Sequence, residues 1–130
     1  MFTIDQIKAA HSKVKSGADF PSYISDIKAL GVSRYLTYVS DGHTEYFDKD
    51  NKTTASPARY EAKSIALQAN AKQLKSDLKV HQAGETDYPT FCQQAADNGV
   101  NAWEVDTVAM TCTYLDIQGG EMVVEVIPKV

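Results

Sequence analysis

Residues 19–48 read DFPSYISDIKALGVSRYLTYVSDGHTEYFD, and residues 87–116 read DYPTFCQQAADNGVNAWEVDTVAMTCTYLD. The two stretches align without a gap. Asp19, Pro21, Gly31, Val32, Tyr46 and Asp48 fall on Asp87, Pro89, Gly99, Val100, Tyr114 and Asp116. Phe20 meets Tyr88, Ser22 meets Thr90, Tyr23 meets Phe91 and Tyr35 meets Trp103. Only six of thirty positions are identical, yet they mark a helix start, a helix stop and aromatic anchors. With one gap the match extends upstream: Thr3, Gln6, Ile7, Lys8 and Gly17 fall on Asn70, Gln73, Leu74, Lys75 and Gly84. A repeat is read before any single element, because it sets the fold. Matched positions are then scaffold, and function is sought where the copies differ.

Thr3 with Gln6 has the spacing of a capping box, so a helix is expected from residue 4 to about Ser16, stopped by Gly17. Ile4, Ile7, His11 and Val14 form its apolar stripe. Asp19-Phe20-Pro21 opens a second helix, because proline suits a first turn and a carboxylate suits the positive end of the dipole. Phe20, Tyr23, Ile24, Ile27 and Leu30 line its inner face, and Gly31 suits the left-handed position after it. A strand follows over about 33–40. Asp41-Gly42 is a hairpin signal, and the return strand covers about 43–47. Asp48-Lys49-Asp50-Asn51 is a polar turn. Thr53 and Thr54 begin a short third strand, which Pro57 breaks. Residues 59–67, RYEAKSIAL, fit a strand or an early helical turn, and the strand is preferred.

The second stretch repeats the plan. Asn70 with Gln73 caps a helix ending at Gly84, and Asp87-Tyr88-Pro89 opens one that Gly99 stops. Strands are expected over about 102–107, 110–115 and 121–127, the last entered through Gly119-Gly120 and ended by Pro128. The fold class is α+β: an internal duplication of a helix-helix-strand-strand unit, with helices packed on one face of a mostly antiparallel sheet. A single domain is expected, made of two repeats (about 3–54 and 70–127) joined by 55–69.

A two-residue turn at 41–42 pairs Val39 with Thr44 and Thr37 with Tyr46, on the face that holds Tyr35. The matching face of the second copy holds Trp103, Val105, Thr107, Cys112 and Tyr114. This set carries the matched aromatics, so it is assigned to the helices. The opposite face carries Arg34, Leu36, Tyr38, His43, Glu45 and Phe47 in the first copy, and Glu104, Asp106, Thr111, Thr113 and Leu115 in the second. The second set is ordinary for a solvent face. The first places Leu36, Tyr38 and Phe47 beside a histidine and a glutamate.

The opening MFTIDQIKAAHSKVKSGADFP, the hairpin SDGHTEYF and the segments TDYPTFC and AMTCTY resemble the YbcV/YdfO-like proteins. These are an uncharacterised family, largely of enteric bacteria and their prophages, whose members are sometimes labelled phage envelope protein. The resemblance covers nearly the whole chain. It implies an α+β cytoplasmic protein carried on mobile elements, and it implies no reaction and no catalytic residue.

Composition bounds the partners. A chain of 130 residues buries about two thirds of its unfolded surface. The net charge is −4, and Arg34 and Arg59 are the only arginines, which argues against a nucleic-acid binder. No apolar run approaches the ~18 residues of a membrane span. The start lacks the apolar stretch of a signal peptide, so the cytoplasm is the expected setting and Cys92 and Cys112 are expected to be thiols. Neither carries a flanking cation or CxxC spacing that would make it reactive.

His43 and Glu45 share one strand face at i and i+2, a spacing open to two metal ligands or an acid–base pair. Zinc needs at least three protein ligands, and Asp41 or Asp106 would have to supply the third. A polar hairpin tip explains the same residues. His11 and His81 fall on apolar stripes, and their aligned slots in the other copy hold Leu78 and Val14, which favours boundary histidines over ligands. Lys72, Lys75 and Lys79, like Lys8 and Lys15, follow helical spacing and fit solvated faces. No P-loop, dinucleotide fingerprint, GxSxG or HExxH motif is present. The functional expectation is a non-enzymatic interaction or small-ligand-binding protein, with Leu36, Tyr38, His43, Glu45 and Phe47 as its contact surface. A homodimer or an unknown protein or small molecule is the expected partner, and no cofactor or metal is assigned. The alternative is a small enzyme or metal-binding protein centred on His43, Glu45 and Tyr38.

Overall fold

The computed structural model describes residues 2–14 and 19–127. Helices α1 (Ile4–His11) and α2 (Phe20–Leu30) lead into strands β1 (Arg34–Tyr38), β2 (Thr44–Phe47) and β3 (Thr53–Ser56). Helices α3 (Ala71–Gln82) and α4 (Tyr88–Asp97) then lead into strands β4 (Ala102–Asp106), β5 (Thr111–Leu115) and β6 (Glu121–Val126). The order of two helices and three strands thus occurs twice.

Local chemistry sets these boundaries. The Thr3–Gln6 capping box forms, with Thr3 N–H donating to Gln6 Oε1 at 2.8 Å. α1 stops at His11, short of the expected Ser16. Ser12 Oγ donates to the Ala9 carbonyl at 2.6 Å, and Val14 N–H donates to that of His11 at 2.9 Å. Such i→i+3 closure tightens and ends a helix. Gly17, the expected stop, lies outside the described residues, as does Pro128. α2 and α4 each carry proline in the first turn. Asp87 accepts from Thr90 N–H at 2.8 Å. Beyond each helix the backbone turns left-handed, at Gly31 (φ 108°) and Gly99 (φ 84°).

Among the described residues the strands form one six-stranded sheet in the order β3-β2-β1-β4-β5-β6, with every neighbour antiparallel. β1 and β2 pair Tyr35 with Tyr46 and Thr37 with Thr44. β4 and β5 repeat that register 68 residues on, pairing Trp103 with Tyr114 and Val105 with Cys112. β1 and β4 meet at the centre with Leu36 opposite Glu104, so the pairing pattern is symmetric about that pair.

The first hairpin differs from the two-residue turn expected at 41–42. Tyr38 N–H donates to the His43 carbonyl at 2.9 Å and Gly42 N–H to that of Tyr38 at 2.8 Å. The loop therefore takes Val39 to Gly42, and Thr44 pairs with Thr37 rather than with Val39. Val39 turns to the other neighbour, its N–H donating to the Asn101 carbonyl at 3.0 Å. The slip is an even number of residues, so every side chain keeps its face. Residues 57–70 form neither strand nor helix, which corrects the strand expected over 59–67. Their amides are engaged by loops: Arg59 N–H donates to the Asp41 carbonyl at 2.8 Å, Lys63 N–H to Ser40 at 2.6 Å and Ala66 N–H to Ala96 at 2.9 Å.

The helices cover one sheet face. Tyr35, Thr37, Val39, Thr44 and Tyr46, with Trp103, Val105, Thr107, Cys112 and Tyr114, are buried beneath Ile7, Tyr23, Ile24, Ile27, Leu74, Leu78 and Phe91. The Tyr35–Tyr46 and Trp103–Tyr114 rings lie 5.5 and 6.1 Å apart. Contacts of this kind contribute about 0.5–1.5 kcal/mol beyond the area they bury.

Gly99→Ala should destabilise the fold more than Gly31→Ala. Either places an L-residue in left-handed backbone, at about 1–2 kcal/mol. At Gly99 the new Cβ would also stand 2.9 Å from both Ala69 Cα and the Gln68 carbonyl oxygen, whereas at Gly31 its nearest atom would be Phe2 Cδ1 at 3.9 Å. Denaturant titration measures both losses, and equal values would contradict the packing at Gly99.

Candidate functional site

The sheet face turned away from the helices carries Arg34, Leu36, Tyr38, His43, Glu45 and Phe47 on the first half and Ala102, Glu104, Asp106, Thr111, Thr113 and Leu115 on the second. The edge strand β6 adds Val124 and Val126, which are 53% and 80% exposed. Among the described residues no helix lies over this face.

Leu36, Tyr38, His43, Glu45 and Phe47 do come together on β1, β2 and their loop, with Leu36 paired to Glu45. The Tyr38 and His43 rings stack at 4.5 Å with an interplanar angle of 11°. His43 Nδ1 lies 2.5 Å from Asp41 Oδ1, which also accepts the His43 backbone N–H at 3.0 Å. These bonds hold the Asp41 carboxyl below the usual aspartate range. Partial burial, and then the charge of Glu45, push the Tyr38 phenol up. The Arg34 guanidinium carbon stands 3.7 Å above the Phe47 ring, a cation–π contact. Arg34 Nη1 is also 3.7 Å from Glu104 Oε2, across the boundary between the halves. Asp106 does not join His43. It lies opposite Arg34 at the far end of β1, about 13 Å along that strand from Tyr38, and on the other side of β1 from β2. Its Oδ1 accepts from Val108 and Ala109 N–H, each at 2.9 Å. Among the described residues no three His, Cys, Asp or Glu side chains gather as a metal-holding group. A histidine oriented by an aspartate is one half of an acid–base device, which also needs a substrate proton within reach.

The other singled-out residues have structural surroundings. The His11 ring stands edge-on to Tyr23 at 5.2 Å. His81 stacks on Phe91 at 4.5 Å, its Nδ1 3.1 Å from both Thr86 oxygens. Each histidine therefore packs on the corresponding aromatic residue of its half, from different slots in the alignment. Cys92 and Cys112 are free buried thiols. Burial raises both, Cys112 to about 12, which disfavours the nucleophilic thiolate. At Gly119-Gly120 the Asp116 carboxylate accepts from Gln118 and Gly120 N–H at 2.9 and 2.8 Å, so those amides are engaged within the turn.

A cleft that the sequence reading missed opens between α1, β2, β3 and residues 57–59, with a volume of about 450 Å³. Ile7, Tyr23, Tyr46 and Ser56 form its buried floor, and Lys8, His11 and Arg59 form an exposed rim. Partial burial first, and then the Arg59 charge, lower the His11 pKa. The signal available in the sequence was the alignment of His11 with Leu78, a charged-capable residue in a slot that the other copy fills with hydrocarbon.

Fold and site together define a small α+β protein with helices on one face of an antiparallel sheet and an uncovered opposite face. A family model described as Protein of unknown function (DUF1398) matches residues 8–126, and the chain belongs to that family. No curated protein matches it. Among the described residues no helix is long and apolar enough to cross a membrane.

The His11–Arg59 coupling gives a titration test. Arg59→Gln removes the smaller of the two causes, so the His11 pKa should rise part of the way back to 6.5. The folded pKa lies below the unfolded one, so the unfolded chain binds the proton first and stability falls as pH drops below 6.5. Arg59→Gln should lessen that loss. NMR titration of the ring protons reads the shift, and an unchanged or lower pKa would contradict the geometry of the rim.

Proposed function

We propose that this protein works by non-catalytic association, and that two copies meet through the uncovered sheet face. The observation that carries the proposal is that one face of the sheet is packed with helices while the half-buried Leu36, Tyr38, Phe47 and Leu115 and the exposed Val124 and Val126 stand on the other. Exposed apolar residues ringed by polar ones mark contact surfaces.

Charge on this face names the occupant. Arg34 stands with Glu45 on the first half, Glu104 and Asp106 on the second, and Arg34 lies directly opposite Asp106 across the central pair of strands. A second copy turned about a two-fold axis along those strands lays its acidic half over Arg34, Tyr38 and Phe47. The reverse contact then repeats by symmetry, which is the condition of an isologous interface. Two sheets packed face to face in this way lie about 10 Å apart. A cytoplasmic setting and carriage on prophages, drawn from the resemblance to YbcV/YdfO-like proteins, belong to the same proposal.

A second reading, a small enzyme or metal-binding protein at Tyr38, His43 and Glu45, draws on the 2.5 Å contact between His43 and Asp41. It needs a substrate or metal held against an open surface, whereas association needs only the surface.

Light scattering on the unmutated chain should return twice the monomer mass. Leu36→Glu and Phe47→Lys should each return monomer, with circular dichroism unchanged. A monomeric unmutated chain at high concentration would contradict the proposal, as would dimers that survive both substitutions.

A further inference from the structure

We infer that the cleft beneath α1 is a binding site for a small organic acid, a carboxylate carried on an apolar body. The site is independent of the sheet face and arises from a difference between the halves. α1 has 8 residues and its counterpart α3 has 12. In the second half the last turn of α3 makes contacts that α1 has no residues to repeat. His81 stacks on Phe91 there, and Gln82 Nε2 donates to Glu125 Oε1 and Oε2 on β6 at 3.0 and 3.1 Å. In the first half the chain leaves the helix at Ser12, and the cavity of about 450 Å³ remains. That size falls within the ~300–1,000 Å³ of small-molecule sites.

The lining selects the ligand. Among the described residues Lys8, His11 and Arg59 supply the titratable nitrogens of the rim and no carboxylate lines the cleft, in a chain with 17 acidic and 13 basic residues. Among the described residues no carboxylate lies within ion-pairing distance of Lys8 or Arg59. A second hollow, of about 390 Å³, mixes Lys28 and Lys49 with Asp48 and Asp50 and shows no such bias. The planar Arg59 fork matches a carboxylate through two parallel hydrogen bonds. Ile7 and the Tyr23 and Tyr46 rings offer an apolar floor, beside Ser56, whose hydroxyl oxygen accepts from Thr44 N–H at 3.2 Å. The carbonyl end of α1 adjoins the cleft at His11 and Ser12, and its partial negative charge opposes a doubly charged phosphate more than a single carboxylate.

Calorimetry on the full chain with phenylacetate, hexanoate and indole-3-acetate tests the site, with phenylacetamide and inorganic phosphate as contrasts. At least one acid should bind saturably and shift the amide signals of α1, β2 and residues 56–59. Phenylacetamide and phosphate should bind at least tenfold more weakly than that acid. Arg59→Gln should weaken the acid at least tenfold, and Lys8→Gln by less, with melting temperatures close to that of the unmutated chain. The inference is overturned by failure of all three acids to saturate, by equal affinity for acid and amide, by tighter binding of phosphate, by shifts confined to the sheet face, or by an Arg59→Gln variant that binds as before.

Discussion

The pairing of β1 with β4 holds the rest of the structure in place. Without it the sheet parts into two three-stranded pieces, each with two helices and a core near the lower limit of independent stability. With it, Tyr35 lies across from Val105 and Thr37 from Trp103 on the helix-covered side. Both ends of the junction are tied: Val39 N–H donates to the Asn101 carbonyl and Thr107 N–H to that of Ser33, each at 3.0 Å. The Thr107 hydroxyl adds bonds to the Val32 and Ser33 carbonyls at 2.7 and 2.9 Å. The Arg34–Glu104 ion pair crosses the same junction on the open side, with both side chains about one third exposed. A pair so placed contributes about 0–1 kcal/mol, whereas truncating a buried aromatic such as Trp103 costs about 3–5 kcal/mol. The inner packing, not the ion pair, decides the strength of the junction.

That arrangement leaves one side of the sheet unused by the fold. Residues alike in the two halves point inward: Tyr46 and Tyr114, Tyr35 and Trp103. Residues unlike in the two halves point outward: Leu36 against Glu104, Tyr38 against Asp106, His43 against Thr111. A second difference is the shorter α1, which borders the cleft. Both candidate surfaces thus arise where one half departs from the other, and neither removes a residue that the core requires.

Much of this was legible in the sequence because caps and alternation are local signals. Thr3 with Gln6, Asn70 with Gln73, and Gly31 and Gly99 mark helix ends through bonds that span a few residues. The inner and outer faces of β1 and β2 followed from period-two alternation, which survives a register slip of two. What was not legible depended on distant partners. Val39 belongs to the β4 side of its strand through Asn101, and nothing near Asp41-Gly42 announces that. Tyr60 and Ile65 give the 59–67 segment apolar side chains without a strand's period-two spacing, and Tyr60 is spent on the core and on the Val39 carbonyl, reached by its hydroxyl at 2.6 Å. The cleft needs α1, β2, β3 and Arg59 at once, and no local pattern brings those four together.

Native-state hydrogen exchange on the full chain tests the central claim most directly. If the β1–β4 junction binds the halves into one cooperative unit, the amides of β1 and β4 exchange only through global opening, and the most protected amides of both halves report the same opening free energy. Amides of β4, β5 and β6 that stay protected at denaturant concentrations where those of β1 and β2 already exchange would show two halves that open separately, and would contradict it.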